Sequence, residues 1–196
     1  NILGAEQSGF ISEIGFEMYQ KILDEALQEL KQGELRDLLP EHMITSYVAD
    51  CQIETDLELL IPDQYVSNIT ERLSLYKELD SVGDERGLSS FGESLVDRFG
   101  PVPLQTQDLI KSIRMRWLAR DAGFERLVLR QGRMTGYFIQ DQQSPYYQSD
   151  AFTRILRYVQ ANYRTCSMKE SQDRLSLTFN NIPDIESAIG LLQQLL

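Results

Sequence analysis

Apolar residues recur at the three- and four-residue spacing of a helix in six stretches of this chain, and alternate with polar ones in the short runs between them. The first helix is predicted from about Ser12 to Lys31. It would be buried through Ile14, Met18, Tyr19, Ile22, Ala26 and Leu30, and stopped at Gly33. Pro40 breaks any helix in residues 34–50, which read as a connector with short helical turns. Residues 52–61 set Ile53, Thr55, Leu57 and Leu59 against Glu54, Asp56 and Glu58, the pattern of a half-buried strand ending before Pro62. Asn68, with Glu71 three residues on, opens a helix to about Leu79, in a variant of the capping box.

A further helix covers about Leu88 to Phe99, ended by Gly100 as a left-handed cap and then Pro101 as a breaker. Pro103 starts the next, which runs to Ala122 before Gly123 and buries Leu109, Ile110, Ile113 and Trp117. The period then switches to two. Leu127–Arg130 and Thr135–Ile139 are predicted strands joined through Gln131-Gly132. Ser149 or Asp150 caps a helix to about Tyr163, buried through Phe152, Ile155, Leu156 and Val159. A second hairpin, Thr165–Glu170 with Arg174–Asn180, precedes a last helix opened by Pro183. The expected class is α+β. An amphipathic N-terminal helix and a linker precede a compact domain of helices with short, mainly antiparallel strands and hairpins. Residues 1–33, 34–50 and 51–196 are the expected divisions.

Charge adds an asymmetry to this picture. The chain of 196 residues carries a net −11. Residues 1–110 hold 22 acids and 7 bases, and residues 111–196 hold 8 acids and 12 bases. An acidic front half repels duplex DNA and suits a basic protein surface. The chain begins at Asn1, as a piece of a longer protein would, and has neither a signal peptide nor a run near the ~20 apolar residues of a membrane span. A cytoplasmic location is expected. Cys51 and Cys166 then read as buried thiols of a reducing compartment.

Self-contained catalysis finds no motif. There is no Gly-Lys-Ser/Thr phosphate loop, no Gly-x-Ser-x-Gly elbow, and one histidine, His42, in the connector. Glu54, Asp56 and Glu58 share one face of the predicted strand, and a metal-using hydrolase would have to be built on them. Neither a metal nor any cofactor is expected for this chain. One stretch reads as a rival function. Lys111, Arg114, Arg116, Arg120, Arg126, Arg130 and Arg133 surround Trp117, and a nucleic-acid-binding module combines such charge with stacking aromatics.

Two segments carry a resemblance. Asn1 to Tyr19, with Gln7-Ser8-Gly9 at its centre, resembles the end of the translocation motif shared by bacterial transcription-repair coupling factors (Mfd) and the RecG helicase. Leu60-Ile-Pro-Asp-Gln-Tyr65, Arg72 to Lys77, Leu95-Val-Asp-Arg-Phe-Gly-Pro101 and Leu118 to Gly123 resemble the C-terminal domain of the coupling factors, absent from RecG. The resemblance implies a parent that is an ATP-dependent DNA translocase coupling transcription to nucleotide excision repair. Such a parent displaces stalled RNA polymerase, recruits UvrA and moves on duplex DNA, with ATP and Mg in motor domains outside this chain. It implies that this domain folds back on the parent's N-terminal UvrA-binding module, masks it and so restrains the free protein. The docking helix would carry Ser94, Asp97 and Arg98. Phe10 stands where the family often has histidine, and Ser94 where it often has an acid, for which Glu93, about 100° away around the helix, is the available substitute.

Overall fold

A computed structural model describes residues 47–196. The chain divides into two units, Asn1–Ala49 and Asp50–Leu196. The helix expected at 12–31, the connector as far as residue 46 with His42, and Gln7, Ser8 and Gly9 lie outside the described residues.

The second unit is α+β. Five strands, β1 (Gln52–Thr55), β2 (Phe124–Arg130), β3 (Arg133–Phe138), β4 (Cys166–Ser171) and β5 (Arg174–Phe179), form one sheet in the order β1-β2-β3-β5-β4. Only β1 pairs in parallel, against β2; the other neighbours are antiparallel. The helices are α1 (Ile69–Asp80), α2 (Glu85–Phe99), α3 (Leu104–Ala122), α4 (Asp150–Ala161) and α5 (Ile185–Leu195).

Local chemistry sets the boundaries. Asn68, Asp84, Ser149 and Asp184 each accept a backbone N–H from the first turn of the helix they precede. The Asp84 cap starts α2 at Glu85, three residues before the apolar pattern announced it. The predicted strand at 52–61 stops at Thr55. There the Thr55 hydroxyl accepts the Leu57 N–H at 3.1 Å, and the Asp56 carboxylate accepts the Gln131 N–H at 2.9 Å. Side chains have taken the backbone donors that would have extended the strand. Gly100 does end α2, but at φ 87°, ψ −163° it lies outside the left-handed helical cap expected of it. Gly123 does adopt that cap, at φ 99°, ψ 16°.

Both hairpins turn on two residues of positive φ, Gln131-Gly132 and Gln172-Asp173, which match the right-handed twist of the strands they join. A bulge between Phe124 and Arg126 lets Phe124 and Leu127, three apart, both point to the buried side of the sheet.

Helix α3 is the centre of the unit, because it is buried on two sides. Ile113, with the half-buried Leu109, Ile110 and Trp117, joins a core built from Leu75 and Leu79 of α1 and from Leu88, Phe91 and Leu95 of α2. Met115, Ala119 and Ala122, all fully buried, face the side where α3 meets β2 and α5. There the second core is aromatic. Phe124 and Phe138 pack as tilted rings with centroids 4.8 Å apart, and Phe152 of α4 meets Phe138 edge-on at 5.6 Å. Tyr146, on a short 3-10 helix (Pro145–Gln148) that the pattern did not announce, closes this core. Helix α4 faces it through Ile155, while Leu156, expected inside, is 36% exposed.

Candidate functional site

The docking helix expected from the resemblance is α2, and it forms one wall of an open groove of about 700 Å³ whose other wall is α3. On the α2 side the groove is lined by Glu93, Val96 and Asp97, and on the α3 side by Ile110, Lys111 and Arg114. Glu93 and Asp97 meet here because four residues advance a helix by little more than one turn. Val96 between them is 49% exposed. Neither carboxylate forms an ion pair with a described residue. The cations opposite are already engaged. Arg114 donates twice to Glu85, and Lys111 donates to Glu186 at 2.5 Å. The Arg114 guanidinium holds the Glu85 carboxyl below the usual range. The uncompensated charge of the groove is therefore negative, and it lies on α2.

The three expected interface residues part company. Asp97 is exposed and lines the groove. Arg98 is tied down: it pairs with Glu71 of α1 and lies over the Phe99 ring at 4.8 Å. That pair also explains why the Asn68 cap is one-sided, since Glu71 reaches to Arg98. Ser94 is half-buried and does not line the groove. By helical geometry Glu93 points about 100° from Ser94. The groove lies on that other side, so Glu93 shares it with Asp97.

The basic stretch does not assemble into one surface. Arg116 bonds Asp80 at 2.6 Å and approaches Asp50 at 3.6 Å, and Arg120 pairs with its neighbour Asp121. Arg126 and Arg130 leave α3 altogether and share Glu54 on the sheet. Trp117 packs against the helical core. The candidates Arg114, Arg116 and Arg120 thus each hold a carboxylate, and none stands beside an exposed aromatic face of Trp117.

The strand carboxylates are also engaged, Glu54 by two arginines and Asp56 by a backbone N–H. Among the described residues no group of three or more His, Cys, Asp or Glu is placed to hold a metal ion. Both cysteines are free and buried; burial, with Asp50 adding to it, pushes the Cys51 thiol up to about 12. No helix among the described residues is long and apolar enough to cross a membrane.

Residues 55–149 match the family model of the TRCF domain. The chain is 31% identical over 163 residues to the transcription-repair-coupling factor of Haemophilus influenzae, a match covering 83% of the chain and 14% of that relative. It is 33% identical over 129 residues to the one from Escherichia coli, covering 64% of the chain and 10% of the relative. The chain therefore spans about a seventh or less of the length of these relatives. In fold it is similar to a crystal structure of the C-terminal domain of transcription-repair coupling factor. The TM-score is 0.59 at 16% identity, over 74% of this chain and 91% of that one. Of the segments that carried the resemblance, those from Leu60 to Gly123 fall inside the matched domain, and Asn1 to Tyr19 lies outside it. The chain belongs to the transcription-repair coupling factor family and holds its C-terminal domain.

Proposed function

We propose that this chain is a regulatory interaction domain with no catalysis of its own, and that it restrains its parent by docking α2 on the parent's N-terminal UvrA-binding module. The parent is then an ATP-dependent DNA translocase of DNA repair, with ATP and Mg in its motor and RNA polymerase, UvrA and duplex DNA as its partners. The observation that carries the docking reading is the pair Glu93 and Asp97, carboxylates with no ion pair to a described residue, beside the exposed Val96. An apolar spot framed by uncompensated charge suits a basic partner surface that a competitor can displace. A latch of this kind needs a coupling of only about 1–3 kcal/mol.

Calorimetric titration of the whole chain with the separately expressed N-terminal module of the same parent tests it. Binding should weaken with salt and fall about tenfold or more with Asp97→Arg, a cost of about 1.4 kcal/mol. Absence of binding at ~1 mM, the effective concentration of linked domains, would overturn the latch. ATP turnover by the purified chain would overturn the non-catalytic reading.

A further inference from the structure

The second unit covers only one side of its sheet. Leu127, Leu129, Met134, Phe138, Leu177 and Phe179 point to the helices and are buried, whereas no residue of the opposite face is. Strand register arranges that open face in rows across the sheet. One row runs Gln52, Arg126, Tyr137, Ser176, Lys169, and the next runs Glu54, Val128, Thr135, Thr178, Ser167. Arg174 and the pair Arg130–Arg133 extend the face at its two ends.

Two properties set this face apart. First, it is basic in an acidic unit. Residues 50–196 hold 21 acids and 16 bases, a net of −5. Yet this face gathers Arg126, Arg130, Arg133, Lys169 and Arg174 against Glu54, Glu125 and, at the hairpin turn, Asp56. Glu54 is shared by two arginines, and Arg133 and Lys169 have no ion pair with a described residue. Second, an aromatic ring flanked by two guanidiniums stands at its centre. The Arg126 and Arg174 guanidiniums lie 5.1 Å and 5.8 Å from the Tyr137 ring centroid. Tyrosine rings and guanidinium groups are surfaces on which unpaired bases lie, and the flanking cations are placed for the strand's phosphates. The adjoining rows are hydroxyls, with those of Thr135 and Thr178 3.1 Å apart. Each both donates and accepts, as does the 2′-hydroxyl that distinguishes RNA.

We propose that the open face of this sheet binds single-stranded RNA, with Tyr137 and its two arginines as the stacking centre and Arg133 and Lys169 as phosphate contacts. This site is distinct from the α2–α3 groove and does not depend on the latch.

The test is fluorescence anisotropy of the full chain with a fluorescein-labelled oligouridylate of about twelve nucleotides, in about 50 mM salt. Binding should weaken as salt rises. The double variant Arg133→Glu/Lys169→Glu should lose affinity about tenfold or more. The same charge change on the helical side, Arg154→Glu/Arg157→Glu, should leave it within about twofold. Glu54→Gln, which releases Arg126 and Arg130, should bind more tightly, a gain that a merely damaged fold would not show. No binding at low salt would overturn the proposal, as would equal losses in the two double variants. Equal affinity for the matching oligodeoxyuridylate, or displacement by polyglutamate at equal charge, would also overturn it, by reducing the face to a general anion surface.

Discussion

At the scale of single residues, Gly123 and Tyr146 form the most exacting contact. A Cβ on Gly123 would lie 2.2 Å from the Tyr146 ring, and its φ of 99° already disfavours any side chain. The Tyr146 hydroxyl donates to the Ala122 carbonyl at the end of α3. Gly123→Ala should therefore destabilise the unit by about 2 kcal/mol or more, from positive φ and overpacking together, read as a lower urea midpoint. Glu93 and Asp97, by contrast, are exposed and have no ion pair with a described residue, and Glu93→Arg and Asp97→Arg should each shift stability by no more than about 0.5 kcal/mol. Unchanged melts alongside lost module binding would separate the groove's role in docking from any role in folding. Asp97 was legible only through the family resemblance. Glu93 was legible only as a substitute for the acid missing at Ser94, set about 100° away, because sequence gives a residue's direction around a helix and not which side of the helix has a groove.

At the scale of elements, carboxylates tie neighbouring elements together and fix a helix start. Glu54 ties β1 to β2 through Arg126, Glu85 ties α2 to α3 through Arg114, and Asp184 caps α5 through Ser187. Hydrogen bonds from these partners hold all three carboxyls below their ordinary range. A depressed folded-state value means stabilisation that is complete above the unfolded value, near 4, and is lost as pH falls through the folded one. The urea midpoint should hold steady from about pH 7 to 5 and drop below about pH 4, less steeply in Glu85→Gln. The elements themselves were largely legible, since caps such as Asn68 and Ser149 are written locally. The second face of α3 was not. Ser112, Ala119 and Ala122 are small or polar and carry no hydrophobic signal, though they allow the closest packing. The strand order was equally out of reach, because the β1–β2 pairing spans the whole of the first helical core and no local pattern records it.

At the scale of the whole unit, α3 makes two cores into one. The helical core packs on one side of that helix and the aromatic sheet core on the opposite side. Ala119→Leu, an overpacking change on the sheet side, should cost about 1–3 kcal/mol. It should also lower the unfolding midpoint seen by Trp117 fluorescence, although Trp117 belongs to the other core. Trp117 is the chain's only tryptophan, so that signal has one origin. A Trp117 midpoint that stayed fixed while hydrogen exchange in β3 accelerated would show that the two cores melt separately.

The burial of both thiols has a practical consequence. Cys51 and Cys166 are the chain's only cysteines, and with each sealed inside and its thiol held protonated by burial, neither presents a reactive thiolate to solvent. The native surface is chemically silent toward maleimides. A cysteine introduced by Asp97→Cys would be a unique handle, and a dye there would look directly into the α2–α3 groove. One placed by Lys169→Cys would look across the sheet instead. The two proposed surfaces could then be watched one at a time, in the same protein, by the colour each dye emits.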